Sequence, residues 1–340
     1  MSSRLGWIAL AAALAACGRD VPPRSSTERP ASASSRPHPF GDARGPIVTA
    51  SDLFLDTTPL GIAPGRLTVE RASLSERLRK LPTAATLSYT HDAPASAVLA
   101  VLRGLFETGH PRVELVTELA GKPTTACSVT AAPADTVALK VELRGDRVEL
   151  GLSEVRPVLH RELADAGLVA RLRDDLAAPF FDRVGGVEIA VDATAAGGEL
   201  HRVMTALCDK LGAWRVGDLA AIQRARHQPA TLPLCRNVIV RSPASGHDPE
   251  QLRAALPELD AMDLCYRRFA RAPGPVGTVT MTLEIKPDGT VGDHAAAGLD
   301  PEVNRCIAWL VGRGRLPHPT PTSVRMRATA ECNTRCCNGD

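Results

Sequence analysis

The chain closes on a thiol-rich run, Cys332-Asn333-Thr334-Arg335-Cys336-Cys337. Thiols at this density suit tetrahedral zinc ligation, thiol–disulfide exchange or structural cross-linking. Structural zinc needs four ligands, and no well-spaced fourth accompanies these three. Adjacent Cys336 and Cys337 bond to each other only with strain. Each is expected to pair elsewhere, with Cys235 or Cys127 as candidates. Ser245-Gly246-His247-Asp248 carries the residue types of a hydrolase, but triad members converge through a fold rather than sit side by side. There is no Gly-x-Ser-x-Gly, metal-binding histidine pair or phosphate loop. Asp92 and Asp192 each precede an apolar helix stripe and read as helix caps. No catalytic residue, metal ligand, cofactor or small-molecule substrate is expected.

The front of the chain bears on which thiol chemistry applies. Arg4 is followed by an uncharged run, Leu5 to Ala16. One basic residue before a short apolar run reads as a secretory signal, and the run is shorter than the roughly 20 residues that span a bilayer. It closes Leu14-Ala15-Ala16-Cys17, which resembles a bacterial lipobox. The resemblance implies removal of residues 1–16 and lipidation of Cys17. Gly18 follows in place of Asp, which by resemblance to enteric lipoproteins implies the outer membrane, facing the periplasm. Export makes disulfides the default for Cys127, Cys208, Cys235, Cys265, Cys306, Cys332, Cys336 and Cys337.

Residues 17–48 are rich in Pro, Ser and Arg, offer little to bury, and read as a disordered tether. The net charge of +2 gives no reason to expect nucleic acid, and 3 % aromatics leaves few stacking platforms for sugars or bases.

The middle of the chain repeats at a period of about one hundred residues. Thr86 onward and Val187 onward each read as strand, Asp, helix, Gly stop and strand. Val98, Val101, Leu102 and Leu105 make one helix stripe; Leu200, Val203, Met204 and Leu207 make the other. The second copy opens with a hairpin through Val137–Leu143 and Val148–Leu152, followed by a helix through Val155, Leu159, Leu163, Leu172 and Leu176. The first copy reads as a strand at Leu67 and Val69 and a helix opened by Ser73-Leu74-Ser75-Glu76. This pattern resembles the periplasmic domain of the ExbD/TolR family, over residues 49–128 and again over 129–232. That family's membrane aspartate has no counterpart here, so no use of the proton gradient is implied.

After a linker at 233–250, residues 251–332 read as helix, strand, strand, helix, strand. Glu258–Arg271 forms the first helix. Val279, Met281, Leu283 and Ile285 alternate with polar residues. Pro287-Asp288-Gly289 makes a tight turn, and Asp300-Pro301-Glu302 opens the second helix. Each helix carries a cysteine near its buried face. Two helices on one side of a sheet bring Cys265 and Cys306 within disulfide reach, closing a loop worth roughly 3–4 kcal/mol. Cys265-Tyr266, Pro287-Asp288-Gly289-Thr290-Val291, Cys306, and Leu316-Pro317-His318-Pro319 together resemble the AgmX/PglI C-terminal domain, a TonB-C-like module. The resemblance implies docking by strand addition at a sheet edge. Arg325 and Arg327 on the last strand either mark that edge or protect it from pairing.

The expected fold class is thus α+β, three small modules of helices on short mixed or antiparallel sheets, with a Cys-rich tail at 333–340. The expected function is that of a cell-envelope lipoprotein: a non-enzymatic adaptor in a TonB/Tol-like transport or motility assembly. Its partners would be the membrane through its lipid, and envelope proteins or peptidoglycan. The alternatives are a thiol-redox or metal-binding lipoprotein using the C-terminal cysteines, or a peptidoglycan-binding protein.

Overall fold

The structure is a computed structural model. It describes residues 40, 44–56, 58–67, 71–119, 122–152, 157–219, 235–241, 248–270, 277–317 and 320–332. The first copy of the repeat runs β1 (Pro46–Val48), β2 (Leu53–Leu55), β3 (Thr58–Pro59), α1 (Arg71–Leu78), β4 (Ala84–Tyr89), α2 (Ala95–Glu107) and β5 (Arg112–Leu119). A long strand, β6 (Lys122–Ala131), follows. The second copy runs β7 (Ala138–Arg144), β8 (Arg147–Leu152), β9 (Leu159–Glu162), α3 (Leu168–Leu176), β10 (Gly186–Val191), α4 (Gly197–Cys208) and β11 (Ala213–Val216).

These strands form one 11-stranded mixed sheet in the order β3-β2-β1-β4-β5-β6-β11-β10-β7-β8-β9. The order of the first copy, β3-β2-β1-β4-β5, returns in the second as β9-β8-β7-β10-β11. The pairings return too: β1–β2 and β7–β8 are antiparallel, β4–β5 and β10–β11 parallel. The copies meet through reciprocal backbone bonds. Ala95 N donates to Ala195 O at 2.9 Å, and Gly197 N donates to Ala93 O at 2.7 Å. A contact in which i meets j and j meets i is the signature of two-fold symmetry.

The expectation of three small modules is overturned here. β6 pairs antiparallel with β5 and, at its end, parallel with β11, through Thr130↔Ala213 and Ala131↔Trp214. One strand therefore makes two half-sheets continuous. The helices cross the seam as well. α2 packs on β10 and β11, and α4 packs on β6. Both predicted stripes are fully buried in one shared core. Neither half could bury its helix alone, because part of that helix's partner surface belongs to the other half.

Three local expectations also change. The helix expected from Val155 to Leu176 is a strand and then a helix. Leu159 pairs with Leu150 in the sheet, and α3 starts only at Leu168. Leucines at 159, 163, 172 and 176 fit either reading, since short apolar runs do not discriminate. Leu67 closes a 3₁₀ turn rather than forming a strand, Val69 lies outside the described residues, and Ser73–Glu76 falls inside α1. The end of the expected tether is a buried strand: β1 lies parallel to β4, preceded by Gly45 at φ +108°. A Cβ at Gly45 would stand 2.4 Å from Thr86 O, so only glycine lets the chain enter there.

The C-terminal segment is a second sheet of 4 antiparallel strands, β12 (Cys235–Arg241), β13 (Gly277–Ile285), β14 (Val291–Ala297) and β15 (Val324–Cys332), in the order β12-β15-β13-β14. Its helices are α5 (Pro249–Arg253), α6 (Leu259–Phe269) and α7 (Pro301–Val311). β13 and β15 alternate between buried and outward residues over their lengths, as period-two patterning requires. Gly289 takes φ +81° in the predicted turn, and Asp300 and Pro301 start α7 where the sequence places them.

Candidate binding surface

The described cysteines are all bonded. Cys265 on α6 joins Cys306 on α7 with Cα atoms 5.7 Å apart. Cys235 on β12 joins Cys332 on β15, and Cys127 on β6 joins Cys208 at the end of α4. The last of these crosses the seam between the two copies. Cys17, Cys336 and Cys337 lie outside the described residues, as do Ser245 and His247. Asp248 caps α5, its carboxylate accepting from Glu250 N at 3.0 Å.

Neither repeat aspartate caps its helix. Pro94 and Ala196 hold the cap positions. Asp192 organises the turn before α4, accepting from Gly145 N, from Thr194 N and Oγ1, and from Ala195 N. Partial burial opposes its ionisation, but these hydrogen bonds outweigh it and hold the carboxyl below its ordinary value. Asp92 is exposed. Tyr89 is fully buried, and burial pushes its phenol well above the usual value. Among the described residues no three His, Cys, Asp or Glu side chains gather as a metal site. No described helix is long and apolar enough to cross a membrane.

The expected free edge at Arg325 and Arg327 needs correction. β15 is an inner strand, with β12 on one side and β13 on the other. Residues 235–241 are not part of a linker: the Cys235–Cys332 bond and a hydrogen bond from Cys235 N to the Asp263 carboxylate hold them in the sheet. The outer strands are β12 and β14.

What the two arginines do mark is a face. Val324, Met326, Ala328 and Ala330 point into the core, so Arg325 and Arg327 point the other way and are exposed. Arg241 stands directly opposite Arg327 in the β12–β15 register. Like charges so placed repel. Arg325 reaches Glu284 only at 4.0 Å. Arg325 and Arg327 flank a shallow hollow of about 440 Å³ lined also by Thr282, Glu284, Asp293 and His294. The arrangement can hold an anionic or hydrogen-bonding group laid across the strands.

The opposite side of the module is fixed to the second copy. A 3₁₀ turn, Pro179–Phe181, presents two rings to α7. Trp309 stacks on Phe180 at 5.5 Å and meets Phe181 edge-on at 5.6 Å. Asp175 on α3, 2 % exposed, takes Arg161 Nε and one Nη at 2.8 Å each and Arg313 Nη at 3.1 Å. Arg268 donates to Phe180 O and lies over the Phe269 ring. Burial, against the pull of Asp182, leaves the Arg268 guanidinium below its usual value. None of these contacts was read from the sequence. The available signal was Pro179-Phe180-Phe181, two adjacent rings in a chain with 3 % aromatics. Comparison with protein-family models, with curated proteins and with solved structures finds no match to this chain.

Proposed function

We propose that the chain is a cell-envelope lipoprotein, anchored through Cys17 at the outer membrane and facing the periplasm, that works as a non-enzymatic adaptor in a TonB/Tol-like assembly. The observation that carries this reading is the helix-free face of the C-terminal sheet. It displays Arg241, Arg325 and Arg327 on a module cross-linked by two disulfides and fixed on its other side to the second repeat copy. A charged, disulfide-linked face on a lipid-tethered body suits partner binding. The AgmX/PglI-like motifs and the ExbD/TolR-like repeat support a place among envelope machines, and the three disulfides support an oxidising compartment. The docking partner on this reading is an envelope protein with an acidic surface.

The test is cross-linking in whole cells with wild type and an Arg325→Glu/Arg327→Glu variant. Both side chains are exposed, so the fold should persist. The account expects one set of membrane or channel proteins to be captured by wild type and lost with the charge reversal. An unchanged set would sink the assignment of this face. Capture of sacculus fragments alone would replace the adaptor with a peptidoglycan-binding protein.

A further inference from the structure

The seam between the two copies brings together two histidines that the adaptor reading does not use. His91 follows β4 in the first copy, and His201 lies on α4 of the second. Their ring centroids are 6.4 Å apart, tilted by 53°. The approach is built into the backbone. Gly198 N donates to His91 O at 2.8 Å, and a Cβ on Gly198 would sit 2.1 Å from His91 Nδ1. The His91 ring therefore occupies the space that any other residue at 198 would fill. His201 stands one helical turn further along the same face of α4. Its Nδ1 is buried and has no hydrogen-bond partner among the described residues. An orphaned buried nitrogen is costly, and an absent ion is one of the ordinary explanations for it.

We propose that His91 and His201 together bind a divalent transition-metal ion of the imidazole-preferring class, with copper(II) held more tightly than nickel(II) or zinc. Two imidazoles on one ion, at about 2.0–2.1 Å per bond, place their centroids roughly 5 to 6.5 Å apart. The observed separation lies at the wide end of that range, where the two nitrogens stand on opposite sides of the ion. With two protein ligands the remaining positions go to water or a small anion. The order among metals follows the general rise in affinity toward copper(II). An ion here would tie the first copy to the second at the point where Ala93, Ala95, Ala195 and Gly197 already exchange backbone bonds.

The test uses the full-length protein with free thiols blocked by N-ethylmaleimide, titrated with CuCl2 and followed by electron paramagnetic resonance. Wild type should show a copper species with splitting from two imidazole nitrogens. His91→Ala, at an exposed position, should lose that species and bind one equivalent less. Gly198→Ala, which removes no ligand but displaces the ring, should weaken the same species about tenfold or more. His201→Ala should reproduce the loss. Identical spectra and stoichiometry in wild type and His91→Ala would overturn the proposal. So would a two-nitrogen species that survives in His201→Ala.

Discussion

The two copies of the repeat share one order of strands and helices, but only the second carries the C-terminal module. In the first copy α1 and β4 are joined by residues 79–83, a short polar segment ending in Leu81-Pro82-Thr83. In the second, α3 and β10 are joined by residues 177–185, which include the Pro179–Phe181 turn. Near the end of α3 stands Asp175; the corresponding place near the end of α1 holds Arg77. The second copy thus has an aromatic turn and a buried acid where the first has neither. The faces away from the main core diverge as well. The first copy builds a small apolar cluster from Phe40, Ile47, Phe54 and Val116. The second buries Glu142 and Glu149 there, beside Arg144, Arg147 and His160. A duplicated framework keeps its backbone pairing while a short insertion and a few side chains decide what docks on it.

Breaking the aromatic dock should have the largest effect. Phe180→Ala removes a fully buried ring stacked on Trp309 and should cost about 3–5 kcal/mol in denaturant unfolding. Lys80→Ala, in the matching segment of the first copy, should change stability by about 0.5 kcal/mol or less. Asp175→Ala leaves Arg161 and Arg313 without their shared partner and should cost about 3 kcal/mol. Arg71→Ala, which breaks the exposed Arg71–Glu107 pair of the first copy, should cost about 0–1 kcal/mol. Equal losses at Asp175 and Arg71 would erase the distinction between the copies. Replacing Cys127 and Cys208 by serine opens the bond across the seam and should cost about 2–4 kcal/mol, read as a lower thermal midpoint. The smallest effect concerns acid. Asp192 titrates lower in the folded chain than its ordinary value, so its contribution is complete above about pH 4 and fades as pH falls through the lowered folded value. Asp192→Asn should flatten the acid limb of the stability curve. In the first copy the matching place is held by Thr90 rather than Asp92, since Thr90 N donates to Val48 O as Asp192 N donates to Leu143 O; it carries no charge to titrate, so Thr90→Val should leave that limb unchanged.

Part of this was legible in the sequence. The stripes at Val98–Leu105 and Leu200–Leu207 gave the repeat, because helical period is local and strong. The alternation from Val279 to Ile285 and the Pro287-Asp288-Gly289 turn gave the centre of the C-terminal module. β1 escaped because three residues, Pro46-Ile47-Val48, carry no period. β6 escaped because its length, Lys122–Ala131, is largely threonine and small residues with a buried cysteine and valine near one end. The continuity of the large sheet rests on two residue pairs between β6 and β11. Such non-local pairing leaves no mark in hydrophobic pattern. β12 was hidden by Arg236, Asn237 and Arg241, charged and polar residues suited to an outer strand. Alternation places Arg325 and Arg327 on one side of β15, but nothing in the pattern of residues 235–241 marks the strand that pairs beside them.

The two copies and the C-terminal module form one cooperative body, fixed through Phe180, Trp309 and Asp175. Differential scanning calorimetry of the disulfide-intact protein tests it most directly. A single transition is expected, with calorimetric and van't Hoff enthalpies in agreement, splitting into two in a Phe180→Ala/Asp175→Ala variant. Two separate transitions in the wild type would contradict it.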